Sequence, residues 1–275
     1  MLFALSLGHA AIAEDASAER VLSIGGSITE IVYALGEEDR LIARDTTSTH
    51  PPSAEDLPDV GYMRALSPEG VLSVAPDLIV AEDGAGPPET VELLEAAAIP
   101  FITVPDAFST EGVEAKILAV GAALGVPEKA QALADEVGAQ MRAAAADADL
   151  PATERKRVLF ILSTQSGRVM ASGSGTAADA IISLSGGVNA VTEFEGYKQM
   201  TDEAVTAAAP DVILMMDRGG DHGASADELF AMPALVSTPA AEDRALVQMD
   251  GLRMLGFGPR TAQAVTALSE ALNGG

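Results

Sequence analysis

Tyr62 and Arg64 have types and spacing that could do chemistry together. They stand in the block Gly61-Tyr62-Met63-Arg64-Ala65-Leu66-Ser67. If residues 60–65 run extended, side chains two apart project to one side, so the phenol and the guanidinium share a face. A free phenol ionises only near pH 10, so a phenolate needs a stabilising neighbour, and Arg64 is placed to be one. The plainer alternative is a tyrosine packed over a loop with its hydroxyl in water. Tyr197 repeats the Gly-Tyr dipeptide but is followed by Lys198 and Gln199, with no arginine two places on. It reads as an aromatic wall or a stacking ring.

The other candidates are polar residues in loops. Of three histidines, His9 lies in the apolar N-terminal run, His50 in the turn-like STHPP stretch and His222 in GGDHGAS. A loop histidine is usually solvated, although His222 follows a strand of the second half, where open α/β sheets bind ligands. Arg218 in MMDRGGDH and Arg253 in LRMLGFG are candidate clamps for an anionic ligand, with surface salt bridges as the alternative. Gly173-Ser174-Gly175-Thr176 opens a helix that could hold an anion at its N-terminus or could be a threonine-capped turn. It lacks the lysine of a phosphate loop. Met63, Met170, Met200, Met215, Met216 and Met254 fall near these loops and suit a flat apolar ligand, though several read as core. The chain has no cysteine, which excludes thiolate metal sites and cysteine nucleophiles. It also has no Gly-x-Ser-x-Gly elbow and no recognisable Ser, His and Asp set, so hydrolase chemistry is disfavoured.

The elements that must position these residues come in two similar halves. The segment GYMRALSPEGVLSVAPDLIVAEDG from Gly61 resembles GYKQMTDEAVTAAAPDVILMMDRG from Gly196. Each copy reads as a short helix capped by Ser67 or Thr201, a Pro-Asp turn, and a buried strand over 78–80 or 212–215. Each half opens with a basic residue and an apolar strand, Arg20 to Ile24 and Arg157 to Leu162. Strands alternate with helices throughout, which predicts an α/β fold of two Rossmann-like lobes with parallel sheets. Between them, residues 110–148 have a helical composition interrupted at Gly125-Val126-Pro127. From Pro127 through Ala146 they would make about 30 Å of helix, a rigid strut joining the lobes. The expected division is a signal-peptide-like segment over 1–13, an N-terminal lobe over 14–109, a connecting helical segment over 110–149 and a C-terminal lobe over 150–275. Ala11-Ile12-Ala13 has the small-x-small spacing of a signal-peptidase site, which predicts export and cleavage after Ala13. Forty-one acidic against sixteen basic residues give a net charge of -25, which repels phosphate backbones and makes nucleic acid a poor partner. Any anionic ligand must then be held by locally placed arginines.

The order of RVLSIGGSITEIVYALG, GYMRALSPEGVLSVAPDLIV, the long helix, FILSTQSGRVMASGSGTAADAIISLSGGVNAV, GYKQMTDEAV and MLGFGPRT resembles the haem-binding proteins of bacterial haem ABC importers. The likeness runs from Arg20 to the end of the chain. It implies a periplasmic substrate-binding protein, not an enzyme, that acts as a monomer. Such a protein captures ferric haem b between its lobes and delivers it to a membrane ABC permease with its ATPase. In that family the tyrosine of the G-Y-x-R-x-L-S block coordinates the iron and its arginine supports it, which carries over to Tyr62 and Arg64. A hard phenolate oxygen favours ferric iron. Tyr197, Gln165, Arg168, Arg218 and Arg253 would surround the ligand. Some relatives bring a histidine to a second haem, where this chain has the STQSG loop with Gln165 and Arg168. Glu69 in SPEGV and Glu203 in TDEAV correspond to glutamates that pair with permease arginines. Their first-turn positions also suit simple capping carboxylates. The same architecture binds ferric siderophores and corrinoids. The lobes also resemble tetrapyrrole metal chelatases, for which only His50 and His222 could serve as the base.

Overall fold

The computed structural model describes residues 18–217 and 225–274. In the first lobe β1 (Val21–Ile24), β2 (Leu41–Arg44), β3 (Leu78–Glu82) and β4 (Phe101–Val104) alternate with α1 (Gly26–Ala34), α2 (Pro68–Ser73) and α3 (Pro88–Ala96). The helices α4 (Thr110–Ala123) and α5 (Pro127–Asp147) follow. The second lobe runs β5 (Arg157–Ser163), β6 (Val169–Ser172), α6 (Ala177–Leu184), β7 (Val188–Asn189), β8 (Tyr197–Met200), α7 (Asp202–Ala208) and β9 (Val212–Asp217). It ends with α8 (Ala226–Phe230), α9 (Pro239–Glu242), β10 (Leu246–Asp250), α10 (Gly251–Leu255) and α11 (Thr261–Asn273).

The first sheet is fully parallel in the order β2-β1-β3-β4, as the unbroken apolar strands predict. The second has the order β10-β9-β5-β6-β8 with β7 beside β5, and it is mixed. There β9 lies parallel to β5 and β10, while β6 is antiparallel to both β5 and β8. The expectation of two parallel sheets is corrected here for a geometric reason. The turn Gln165–Gly167 folds the chain straight back on itself, whereas a parallel return needs a crossover of a dozen residues or more.

The internal repeat has a physical basis in how each lobe pins its first strand. The Arg20 backbone N–H donates to Asp77 at 3.0 Å, and its guanidinium donates to the carbonyls of Ala75 and Val74. In the second lobe the Arg157 N–H donates to Asp211 at 2.7 Å and its guanidinium to the carbonyls of Ala208 and Ala190. Ala75 and Ala209, at equivalent places in the two copies, both take a left-handed backbone, at φ 50 and 43°. Ser67 and Thr201 cap α2 and α7 as expected, accepting from the amides of Gly70 and Ala204.

The predicted strut is α5, and α4 folds back along it. Gly121 of α4 packs on Ala130 of α5, and Glu114 of α4 pairs with Arg142 of α5 at 2.8 Å, which is antiparallel register. This hairpin is built into the largest apolar core, which runs without a break from Ile28 and Val80 through Val120 and Val137 to Phe160 and Leu268. Separate clusters fill the far face of each sheet. Among the described residues no helix is long and apolar enough to cross a membrane.

Candidate functional site

A cleft of about 660 Å³ opens between the lobes. Gly26, Ser27, Thr47, Thr49, Tyr62, Met63, Arg64 and Glu82 line it from the first lobe, and Met216, Asp217, Asp250, Gly251, Leu252, Leu255 and Gly256 from the second. It lies beyond the carboxyl ends of β1, β3, β9 and β10, where diverging connections leave a crevice in open α/β sheets.

Tyr62 and Arg64 both reach this cleft, by a route different from the one the spacing suggested. Residues 62–65 form a turn closed by the Ala65 amide on the Tyr62 carbonyl at 2.8 Å, and Gly61 enters it with φ 104°. Met63, at the centre of the turn, is buried in the first lobe's core, and this anchors the loop. Tyr62 is left 48% exposed with its phenol in the cleft wall. Arg64 is the one basic side chain among the lining residues.

Tyr197 begins β8 and stands edge-on to Phe160, ring centroids 6.4 Å apart. Burial pushes its phenol above the usual range, opposed by hydrogen bonding to Thr176, the positive charge of Arg64 and hydrogen bonding to Ser172. It therefore stays a neutral phenol at ordinary pH, and the Arg64 charge reaches it from the other lobe. Glu82 is likewise held above the usual carboxylate range, mainly by burial, with Lys116 opposing and Asp106 reinforcing the shift. Its Oε2 accepts from the Ser27 hydroxyl in a short contact. The same hydroxyl accepts from the fully buried Lys116 ammonium at 3.0 Å. Ser27, Glu82, Asp250 and Lys116 were not singled out by their sequence context. The rule that places sites at strand carboxyl ends would have found Glu82 and Asp250.

The other predicted residues are dispersed. Gln165 and Arg168 line a separate polar recess of about 380 Å³ with Ser163, Met170 and Gln199. Arg253 sits in α10, whose neighbours Gly251, Leu252 and Leu255 line the cleft; its Nε is buried without a hydrogen-bond partner among the described residues. Arg218 and His222 lie outside the described residues, as do residues 1–13 and His9. His50 follows β2 and is not among the cleft-lining residues. Of the methionines, Met216 and the buried Met63 line the cleft and Met170 the recess, Met200 is partly buried, and Met215 and Met254 are core. The Gly173–Thr176 turn is resolved as a capped helix start. Thr176 accepts from the Asp179 amide and Asp179 accepts from the Gly175 amide, so the chain's own carboxylate sits where an anion would bind. Glu69 and Glu203 are exposed in the first turns of α2 and α7. The Glu203 carboxyl is lowered by its own backbone amide and by Thr201.

The profile of the periplasmic binding protein family matches residues 21–251. Among solved structures the chain is similar to the periplasmic haem-binding protein BhuT in complex with two haems, at 40% identity and a TM-score of 0.87, covering 92% of this chain and 97% of that one. It is similar to the periplasmic haem-binding protein RhuT from Roseiflexus sp. RS-1 at 38% identity and a TM-score of 0.88, covering 93% and 98%. A vitamin B12-binding protein of Vibrio campbellii is 28% identical over 84% of this chain and 82% of its own length.

Proposed function

Because the chain belongs to the periplasmic binding protein family, we propose that it captures one ferric haem in the interlobe cleft and hands it to a membrane ABC permease with its ATPase. Tyr62 supplies a phenolate to the iron and Arg64 stands beside it. The observation that carries this reading is the turn that presents Tyr62 and Arg64 together on the cleft wall. Likeness to haem-binding structures at 40 and 38% identity supports the ligand class. Met216, Leu252 and Leu255 offer the apolar contact a porphyrin face needs. Arg253, with a buried nitrogen lacking a partner among the described residues, suits a propionate clamp, and Arg218 is assigned the same role. Tyr197 is assigned an aromatic wall on the second lobe, a role supported by its nearness to the Arg64 charge although it is not among the cleft-lining residues. Residues 14–109 and 150–275 are the two lobes, with 110–149 between them. The family acts outside the cytoplasm, and we place this chain in the periplasm after cleavage behind Ala13.

The test is the visible spectrum of the purified protein on titration with hemin, in wild type and Tyr62→Phe. Wild type develops a high-spin tyrosinate spectrum at one equivalent. Tyr62→Phe binds at least about tenfold more weakly, a loss of 1.4 kcal/mol or more, without that spectrum. Superimposable titrations would remove Tyr62 as the ligand. The vitamin B12-binding relatives favour a second reading as a corrinoid binder, in which cobalamin and not hemin would quench or shift the protein's signals.

A further inference from the structure

The segment Gly256-Phe257-Gly258-Pro259-Arg260 touches the cleft only through Gly256 and otherwise lies along the seam where the lobes meet. Phe257 is fully buried against Phe108 at 5.3 Å between ring centroids, and it holds a left-handed backbone at φ 45°, uncommon for a bulky residue. Arg260 forms an ion pair with the buried Glu30 of α1. Lys116 of α4 is buried completely at the same seam. Its ammonium donates to the Ser27 hydroxyl at 3.0 Å and to the Gly256 carbonyl at 3.1 Å, and it forms an ion pair with Asp106 at 2.8 Å. The ammonium is thus held by two hydrogen bonds and by the Asp106 carboxylate, and Glu82 stands 3.7 Å away as a second acidic neighbour.

We propose that Lys116 is a positioning residue for the cleft, tying Ser27 and Glu82 of the first lobe to the Gly256 carbonyl of the second and thereby fixing the gap between the two walls. Ser27, Glu82 and Gly256 all line the cleft, so the tie lies directly under its floor. Separating the lobes strips the Gly256 carbonyl from the ammonium and leaves one of its N–H groups without that acceptor while Ser27 and Asp106 stay in place, so the open state is disfavoured. The fit at the seam is close enough to transmit this: a methyl group on Gly26 would come within 2.5 Å of Leu252 from the second lobe.

The chain has no cysteine, so Leu72→Cys and Val236→Cys, exposed on the first and second lobes, accept spin labels without background. Electron–electron distance measurement on the full chain without ligand should give a narrow distribution in this parent. Adding Lys116→Met should broaden the distribution and shift it to longer distance. Ser27→Ala, which removes one partner and leaves the Asp106 pair intact, should do the same to a smaller degree. On the haem reading, hemin release from Lys116→Met is about tenfold faster while the bound spectrum keeps its tyrosinate form. An unchanged distance distribution in folded Lys116→Met overturns the proposal. If that variant does not fold, an unchanged distribution in Ser27→Ala overturns it. The distance readout needs no ligand, so the failure of hemin to bind bears on the proposed ligand and not on the tie.

Discussion

At the scale of the residue, the two Gly-Tyr dipeptides show how context divides one side chain into two roles. Tyr62 stands on a turn in the cleft wall, whereas the half-exposed Tyr197 has its phenol shifted upward by partial desolvation beside Thr176 and Ser172. Tyr197→Phe should therefore keep hemin affinity within about threefold and lose less than about 1 kcal/mol of stability, because the Thr176 and Ser172 hydroxyls still pair with each other. A hemin titration and a denaturant melt check both. Glu82 gives a pH-dependent case. Its folded pKa is raised, so the folded chain binds more protons here than the unfolded chain, and stability falls as pH rises through the carboxyl's titration range. Glu82→Gln removes that cost while keeping an acceptor for Ser27. The variant should melt higher than wild type at about pH 7, with the difference shrinking toward about pH 4; a difference constant with pH would contradict it. The Tyr62-Arg64 pair was legible from its local block of residue types, although the extended spacing expected for it is replaced by a turn. Lys116 was not, because a lone lysine in an alanine-rich helix looks solvated until tertiary packing buries it.

At the scale of the element, the ends of helices were easier to read than the edges of sheets. Ser67, Thr201 and Pro127 announce helix starts through local chemistry, and α2, α7 and α5 begin there. The strands β6 and β8 were missed. Tyr197-Lys198-Gln199-Met200 is largely exposed and has no apolar alternation, so only its pairing with β6 defines it. The α4–α5 hairpin depends on small residues that local reading does not weigh. An alanine at Gly121 should add about 1 kcal/mol of helix propensity. Its Cβ would fall 2.1 Å from that of Ala130, however, so the helices must part. Overpacking costs about 1–3 kcal/mol and wins. Gly121→Ala should lower the melting temperature by about 2–8 °C, and an unchanged or higher value would show that the hairpin yields freely.

At the scale of the whole molecule, the twofold build places Glu69 and Glu203 on separate lobes, each in the first turn of an equivalent short helix. If these glutamates dock the loaded protein, Glu69→Ala and Glu203→Ala should bind hemin like wild type. The double variant should lose most stimulation of permease ATP hydrolysis in reconstituted vesicles, and the wild-type effect should weaken with added salt. Full stimulation by the double variant removes the docking role and leaves haem capture untouched.

The apolar core that runs from the first sheet through α4 and α5 into the second has a consequence for how the protein comes apart. Each lobe has its own cluster on the far face of its sheet, but neither owns the inner face. Exposing the inner side of one strips partners from the other, so the chain should melt in one cooperative event and not lobe by lobe. A fragment carrying either half alone would present the unpaired side of the hairpin to water, and its first use for that surface would be to stick to another copy of itself.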